Sequence, residues 1–173
     1  MIRTDINYIN GENSMVNDIK LLVLDLDGVI TDGTVSITED GKESKRFSYH
    51  DLDAVSRAYR AGLKIAVVTG ENTPIVKTIT DRFGIKKVIS GAKDKLEALK
   101  TLSIEYDVPI ENICYVGDSD RDAPAISAAG LGLSPANGTN IAKDSADHCL
   151  DSNGGNGAIA ELIYRFQLSL NNN

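Results

Sequence analysis

Residues 21–33, LLVLDLDGVITDG, run apolar for four positions and then carry carboxylates at Asp25, Asp27 and Asp32. Two acids two residues apart, where a hydrophobic strand stops and a glycine begins, are placed to act on one reacting centre. Other β-rich runs also end in reactive groups: one in Thr69-Gly70-Glu71, another in Gly117-Asp118 with Asp122 four residues on. Lys95 lies near the start of the helical stretch after a third. In an open parallel sheet, ligands gather at the carboxyl ends of the strands. Asp25 and Asp118, from two such ends, make a hard oxygen site suited to Mg²⁺, an ion that binds through few carboxylates plus a phosphate. A hydroxyl at Thr69 and an ammonium at Lys95 can then hold phosphoryl oxygens. The pattern reads as phosphoryl transfer. Singly, each residue has a plainer use: Asp27 as a turn cap, Thr69 as a strand-end hydroxyl, Lys95 as a solvated helix residue, Asp118 as an N-cap. Their joint placement at successive strand ends favours catalysis.

The elements that must carry these groups follow from the apolar pattern. The runs IKLLVLDL, LKIAVVTG, KVIS and ICYVGD, with a weaker fifth around GLGLS, alternate with helical stretches. That alternation predicts an α/β fold of Rossmann-like form, a parallel sheet with helices on both faces. Asp51 is a plausible N-cap for the stretch LDAVSRAYRAG, and Thr73, Pro74 and Gly84 read as cap, first turn and stop of the next helix. One insert, about residues 33–50, breaks the alternation. Its alternating Val35 and Ile37 followed by Asp40-Gly41 predict a β-hairpin with a type I′ turn. Residues 1–18 read as a loose tail, 19–168 as a single domain with a glycine-rich segment at 153–157, and 169–173 as a loose tip.

Composition narrows the function classes. The chain has 173 residues, and 18 Lys and Arg against 25 Asp and Glu give a net charge of −7. With no Lys/Arg run longer than a pair, no nucleic-acid partner is expected, and an anionic substrate needs locally placed cations. There is no apolar leader and no run near the roughly 20 residues of a membrane span, so a cytoplasmic protein is expected. Cys114 and Cys149 suggest reduced thiols, and His50 and His148 are too few and too far apart for a zinc site.

Taken together, DLDGVITDG, VVTGE, Lys95 and GDSDRD resemble the four motifs of the haloacid dehalogenase superfamily of aspartate-nucleophile phosphatases, over about residues 20–160. The resemblance implies that Asp25 attacks phosphorus to give an aspartyl-phosphate, while Asp27 protonates the leaving oxygen and later activates water. It implies Mg²⁺ ligands at Asp25, the Asp27 carbonyl and Asp118, and phosphoryl contacts from Thr69, Gly70 and Lys95. Asp122 would support the metal and Lys95 from behind. Asp32 is a possible substrate contact or a brace for the hairpin.

Neither inter-motif gap has room for a cap domain, so the chain resembles the capless type. DGVITDG followed by KESKRFSYHD and a terminal GGNGA is similar to the 3-deoxy-D-manno-octulosonate 8-phosphate (KDO 8-phosphate) phosphatase subfamily, phosphomonoester hydrolases of surface-polysaccharide synthesis. These are homotetramers whose hairpins and glycine-rich tails help complete neighbouring sites. Gly154, Gly155 and Gly157 match that tail, with a flexible loop as the plainer reading. Two departures bear on substrate. Glu71 stands where octulosonate phosphatases commonly have Arg and where the related nine-carbon 2-keto-3-deoxynonulosonate (KDN) 9-phosphate phosphatases have Glu; it could contact sugar or pair with Arg82. The other is YHDLDAV, which keeps Asp51 but not its usual neighbours; His50 is either a loop or a site residue, and Lys45, Arg46 and Lys77 are candidate anion contacts by position. The competing readings are a phosphoaspartate signalling module and an inactive regulatory subunit.

Overall fold

The computed structural model describes residues 19–166 and 168; the expected tail at 1–18 and tip at 169–173 lie outside them. β1 (Leu21–Leu24) is the inner strand of a six-stranded sheet. Beside it run β4 (Lys64–Val68) and then β5 (Lys87–Ile89). On the other side come β6 (Ile113–Val116), β7 (Leu131–Ser134) and β8 (His148–Cys149), giving the order β5-β4-β1-β6-β7-β8. Every pairing in it is parallel. β8 lies outside the strands that the sequence predicts, because two residues carry no periodic signal.

β1 reads as a continuous apolar run because it is covered on both faces. Leu22 and Leu24 face one core with Ile65, Val67, Cys114 and Val116; Leu21 and Val23 face the other with Ala66, Val68, Ile113 and Tyr115. The first core is closed by α1 (Tyr49–Arg60), α2 (Pro74–Phe83) and α6 (Ala158–Arg165). α3 (Lys95–Tyr106), α4 (Ala123–Ala128) and α5 (Asn140–Asp144) close the second. Successive strands are laid first to one side of β1 and then to the other, so the chain reverses direction across the sheet beside β1. In open α/β sheets such a switch marks the ligand-binding edge, here the carboxyl ends of β1 and β6.

Two expectations about local structure are corrected. α1 begins at Tyr49, capped by the Ser48 hydroxyl, which accepts the His50 N–H. Asp51 is instead fully buried within the first turn, and its carboxylate accepts the Gly157 and Ala160 N–H groups at 3.0 and 2.9 Å. It caps α6, more than a hundred residues downstream. The hairpin pairs β2 (Ser36–Ile37) with β3 (Glu43–Ser44), but its turn is not type I′. That type needs positive φ at both central residues, and only Gly41 has it, at 78°. Thr38 and Lys42 close a wider loop around it, with Gly41 N–H donating to the Thr38 carbonyl.

Candidate active site

At the end of β1 the Asp25 N–H still donates to the Val116 carbonyl of β6 at 3.0 Å. Leu26–Ile30 then form one wide turn, closed by the Thr31 N–H on the Leu26 carbonyl at 2.9 Å, with Gly28 at φ 85°. A Cβ at Gly28 would overlap the Asp118 carboxylate, so only glycine lets this loop pass beneath Asp118. Asp25 and Lys95 are 6% and 4% exposed, and Asp122 is fully buried. Lys95, in the first turn of α3, gives Nζ to Asp25 Oδ1 at 2.6 Å and the Val68 carbonyl at 3.0 Å, and lies 3.3 Å from Asp122 Oδ1.

Carboxylate oxygens of Asp25, Asp118 and Asp122 lie within 4.8 Å of one another. Buried Asp25 and Asp122 thus share the Lys95 ammonium, and half-buried Asp118 adds a third carboxylate beside them. Burial, then Asp122, push the Asp25 pKa up to about 8 against the pull of Lys95. Burial and Asp122 likewise raise Asp118 to about 6. Burial works to lower the Lys95 pKa, but Asp25 and Asp122 outweigh it and the pKa rises. The cluster therefore carries more negative charge than its lysine balances, which is the condition a divalent cation relieves.

The donor set fits such an ion. All three donors are carboxylate oxygens, as a hard cation prefers. Asp122 is already engaged: Tyr115 donates to its Oδ1 at 2.8 Å, and the Ser119 N–H and Oγ to its Oδ2 at 3.1 and 2.5 Å. Asp25 and Asp118 are the carboxylates that would be left to face an ion, with Asp122 behind them, tied to Tyr115 and the Ser119 loop and lying beside Lys95. Thr69 is buried at the end of β4, and its Oγ1 accepts the Glu71 N–H at 3.1 Å. Gly70 beside it is exposed, and a Cβ there would make only ordinary contact with the Ala92 carbonyl, so no steric need explains that glycine.

Asp27 sits higher on the rim. Lys45 Nζ reaches Asp27 Oδ1 at 2.7 Å and Glu71 Oε2 at 2.9 Å. Burial would lower the Lys45 pKa, but hydrogen bonds to Asp27 and Glu71 outweigh it and keep the ammonium charged. Lys45 is thus held by two carboxylates of its own chain, rather than standing free for an incoming anion. Glu71 takes Lys45 as partner, and Arg82 donates to the Tyr49 hydroxyl at 3.1 Å; the expected alternative of a Glu71–Arg82 pair is not what forms. Lys77 pairs with Asp81 one turn along α2 at 2.5 Å. Asp32 accepts the Thr34 N–H and hydroxyl and a contact from Arg46 Nη2 at 2.7 Å, bracing the foot of the hairpin. Exposed His50 lies in the first turn of α1. Asp51, buried at the α6 N-terminus, is not among the rim groups.

The glycine-rich segment is neither a loose loop nor a free arm in this chain. The Gly155 N–H donates to the Val29 carbonyl at 3.0 Å, and a Cβ at Gly154 would overlap the Gly28 carbonyl. Asn137 ties these pieces together, giving Nδ2 to the Gly28 carbonyl at 3.1 Å and accepting the Gly154 N–H at 2.6 Å. Sequence reasoning missed Asn137, Thr31 and Tyr115, whose partners are distant in sequence or ordinary in type. Two grooves, of about 550 Å³ along α2 and about 800 Å³ between α1 and the start of β4, contain none of Asp25, Thr69, Lys95 or Asp118.

A strand-end aspartate beside a buried lysine and two further acids, on this sheet order, defines a class. The chain belongs to the haloacid dehalogenase-like hydrolases, whose family model matches residues 72–163. It is 31% identical over 147 residues to the 3-deoxy-D-manno-octulosonate 8-phosphate phosphatase of Haemophilus influenzae, covering 85% of this chain and 82% of that one. The corresponding phosphatase of Moraxella catarrhalis, in complex with a magnesium ion, a phosphate ion and KDO, superposes with a TM-score of 0.87 at 30% identity, over 92% of both chains. The cobalt-bound enzyme from Haemophilus influenzae gives 0.84 at 30% identity, over 90% of this chain and 91% of that one. Within the class, the chain is a member of this octulosonate phosphatase family of phosphomonoesterases. Among the described residues no helix is long and apolar enough to cross a membrane.

Proposed function

We propose that the chain is a Mg²⁺-dependent phosphatase that hydrolyses the terminal phosphate of a 2-keto-3-deoxy sugar acid, with KDO 8-phosphate the leading substrate. The observation that carries this reading is Asp25, buried at a strand end between Lys95 and the Asp118–Asp122 pair. Residues 19–168 are taken as the catalytic domain. Asp25 and Asp118, with the Asp27 carbonyl, would hold the ion. Bound there, the ion keeps Asp25 ionised and offsets charge on the phosphoryl oxygens. Thr69, the backbone at Gly70 and Lys95 bind those oxygens. An Asp25 oxygen bonds to phosphorus as the bond to the sugar oxygen breaks, and Asp27 gives that oxygen its proton. Asp27 then takes a proton from the water that attacks the aspartyl-phosphate, freeing phosphate and restoring Asp25.

Glu71 supports a second substrate within the same reading, a nine-carbon acid such as KDN 9-phosphate or an N-acylneuraminate 9-phosphate. We propose a homotetramer as the working form, in keeping with the exposed apolar side chains of the hairpin region, Val35 at 47% and Ile37 at 66% exposure. The test is Mg²⁺-dependent phosphate release from KDO 8-phosphate, KDN 9-phosphate and N-acetylneuraminate 9-phosphate, with Asp25→Asn as blank. Release from one of these, lost at least about 10³-fold in the blank, is expected. Phosphate release that survives Asp25→Asn would sink the mechanism.

A further inference from the structure

The hairpin makes one contact that reaches the chemistry. Lys45 follows β3, and its side chain is 3% exposed. Its two partners come from different strand ends: Asp27 from the loop after β1, Glu71 from the loop after β4. Thr31 Oγ1 adds a second donor to Asp27 at 3.3 Å, and it falls on the same oxygen, Oδ1. Glu71 is braced in turn, its Oε2 accepting the Thr73 hydroxyl at 3.2 Å. Two donors on Oδ1 set the rotation of the Asp27 carboxylate and leave Oδ2 as the oxygen that can exchange a proton. The foot of the hairpin is itself anchored, through the Thr31–Phe47 bridge and the edge contact of Phe47 on Phe83 at 5.1 Å. The cation is therefore delivered from a fixed point.

We propose that Lys45 is a positioning residue for proton delivery: holding Asp27 Oδ1, it presents Asp27 Oδ2 to the leaving sugar oxygen, and holding Glu71, it ties that presentation to the rim where the sugar lies. The proposal rests on Asp27 being the proton donor. As the Asp25–phosphorus bond forms and the phosphorus–oxygen bond to the sugar breaks, the proton on Asp27 Oδ2 moves to the sugar oxygen. The sugar departs as a neutral alcohol and Asp27 is left as a carboxylate. An alkoxide leaves poorly without that proton, whereas nitrophenolate leaves without one. A misplaced Asp27 therefore penalises the sugar substrate selectively, and misplacements of about 1 Å cost on the order of 10²-fold.

The test compares kcat/KM for KDO 8-phosphate and for p-nitrophenyl phosphate, both of which report the steps through phosphorylation of Asp25. The ratio of the two is expected to fall about 100-fold in Lys45→Met and to stay within about tenfold of wild type in Lys45→Arg, which restores a cation to both carboxylates. Equal losses on both substrates in Lys45→Met would overturn the proposal. Asp27→Asn separates it from its foundation. If the ratio is unmoved in Asp27→Asn, Asp27 is not the donor and both readings fall; if it collapses there but holds in Lys45→Met, only the role of Lys45 falls. Should Lys45→Met fail to fold, Lys45→Gln, which keeps a donor without the charge, is read by the same ratio with the same two outcomes.

Discussion

Two acid–lysine pairs leave one loop two residues apart, Asp25 with Lys95 at 2.6 Å and Asp27 with Lys45 at 2.7 Å. The distances match, but the surroundings do not. The Asp25 side chain is 9% exposed and crowded by Asp118 and Asp122, whereas Asp27 is 32% exposed and shares its lysine with the half-open Glu71. This difference in burial matches the division of labour proposed for the two acids. A carboxylate that must bond to phosphorus beside a cation belongs where water is excluded and charge acts strongly. One that must trade a proton with a leaving oxygen and then with water belongs on the rim.

The largest expected difference between the pairs is in stability. Lys95→Met leaves two buried acids, Asp25 and Asp122, without their cation and should destabilise the metal-free protein by about 3–5 kcal/mol. Lys45→Met, whose partners are partly hydrated, should cost about 1 kcal/mol. Denaturant melts of both variants check this, and equal losses would erase the contrast. The next effect is pH dependence. Folding raises Asp25 to about 8 and Asp118 to about 6, so between pH 4 and 8 the folded state binds more protons than the unfolded one. Stability without metal should therefore fall as pH rises through that window, by on the order of a few kcal/mol, and Mg²⁺ should restore it most at the alkaline end. Thermal midpoints taken across pH in chelator and in Mg²⁺ decide it; a flat metal-free profile counts against the charged cluster.

Smaller effects probe what holds the loop. Gly154→Ala places a Cβ against the Gly28 carbonyl and should cost about 1–3 kcal/mol while lowering activity. The pair around Asp25 would then be shown to depend on the glycine-rich segment. Tyr115→Phe removes one donor from buried Asp122 and should cost about 1 kcal/mol. A loss confined to stability, with kcat kept within a few-fold, would place Tyr115 in the support of the buried pair and outside its chemistry.

The sequence made the frame legible because its signals are local. The apolar runs of β1, β4, β5, β6 and β7 and the Thr73-Pro74 start of α2 all have short-range patterns. Asp51 shows the limit. An acid ahead of an apolar helical stretch looks like that helix's cap, yet Ser48 takes that place and Asp51 caps α6 across the core. Glu71 and Lys45 show the same limit at the rim. The choice between Arg82 and Lys45 as partner depends on where the hairpin lands, which no spacing encodes. Gly154 and Gly155 match a glycine-rich tail by sequence, with a flexible loop as the plainer alternative, while in the fold they are the residues small enough to lie against the Gly28–Asp32 backbone.

The most direct test of the central claim is chemical trapping of the phosphorylated residue. Enzyme turning over KDO 8-phosphate with Mg²⁺ is quenched and reduced with borohydride, which converts an aspartyl-phosphate to homoserine, and the peptide carrying residues 21–33 is sequenced by mass spectrometry. Conversion at position 25, with Asp27 unmodified, is the result predicted for a buried nucleophile beside a rim acid. Conversion at Asp27, or steady phosphate release with neither residue trapped, would contradict that division of labour.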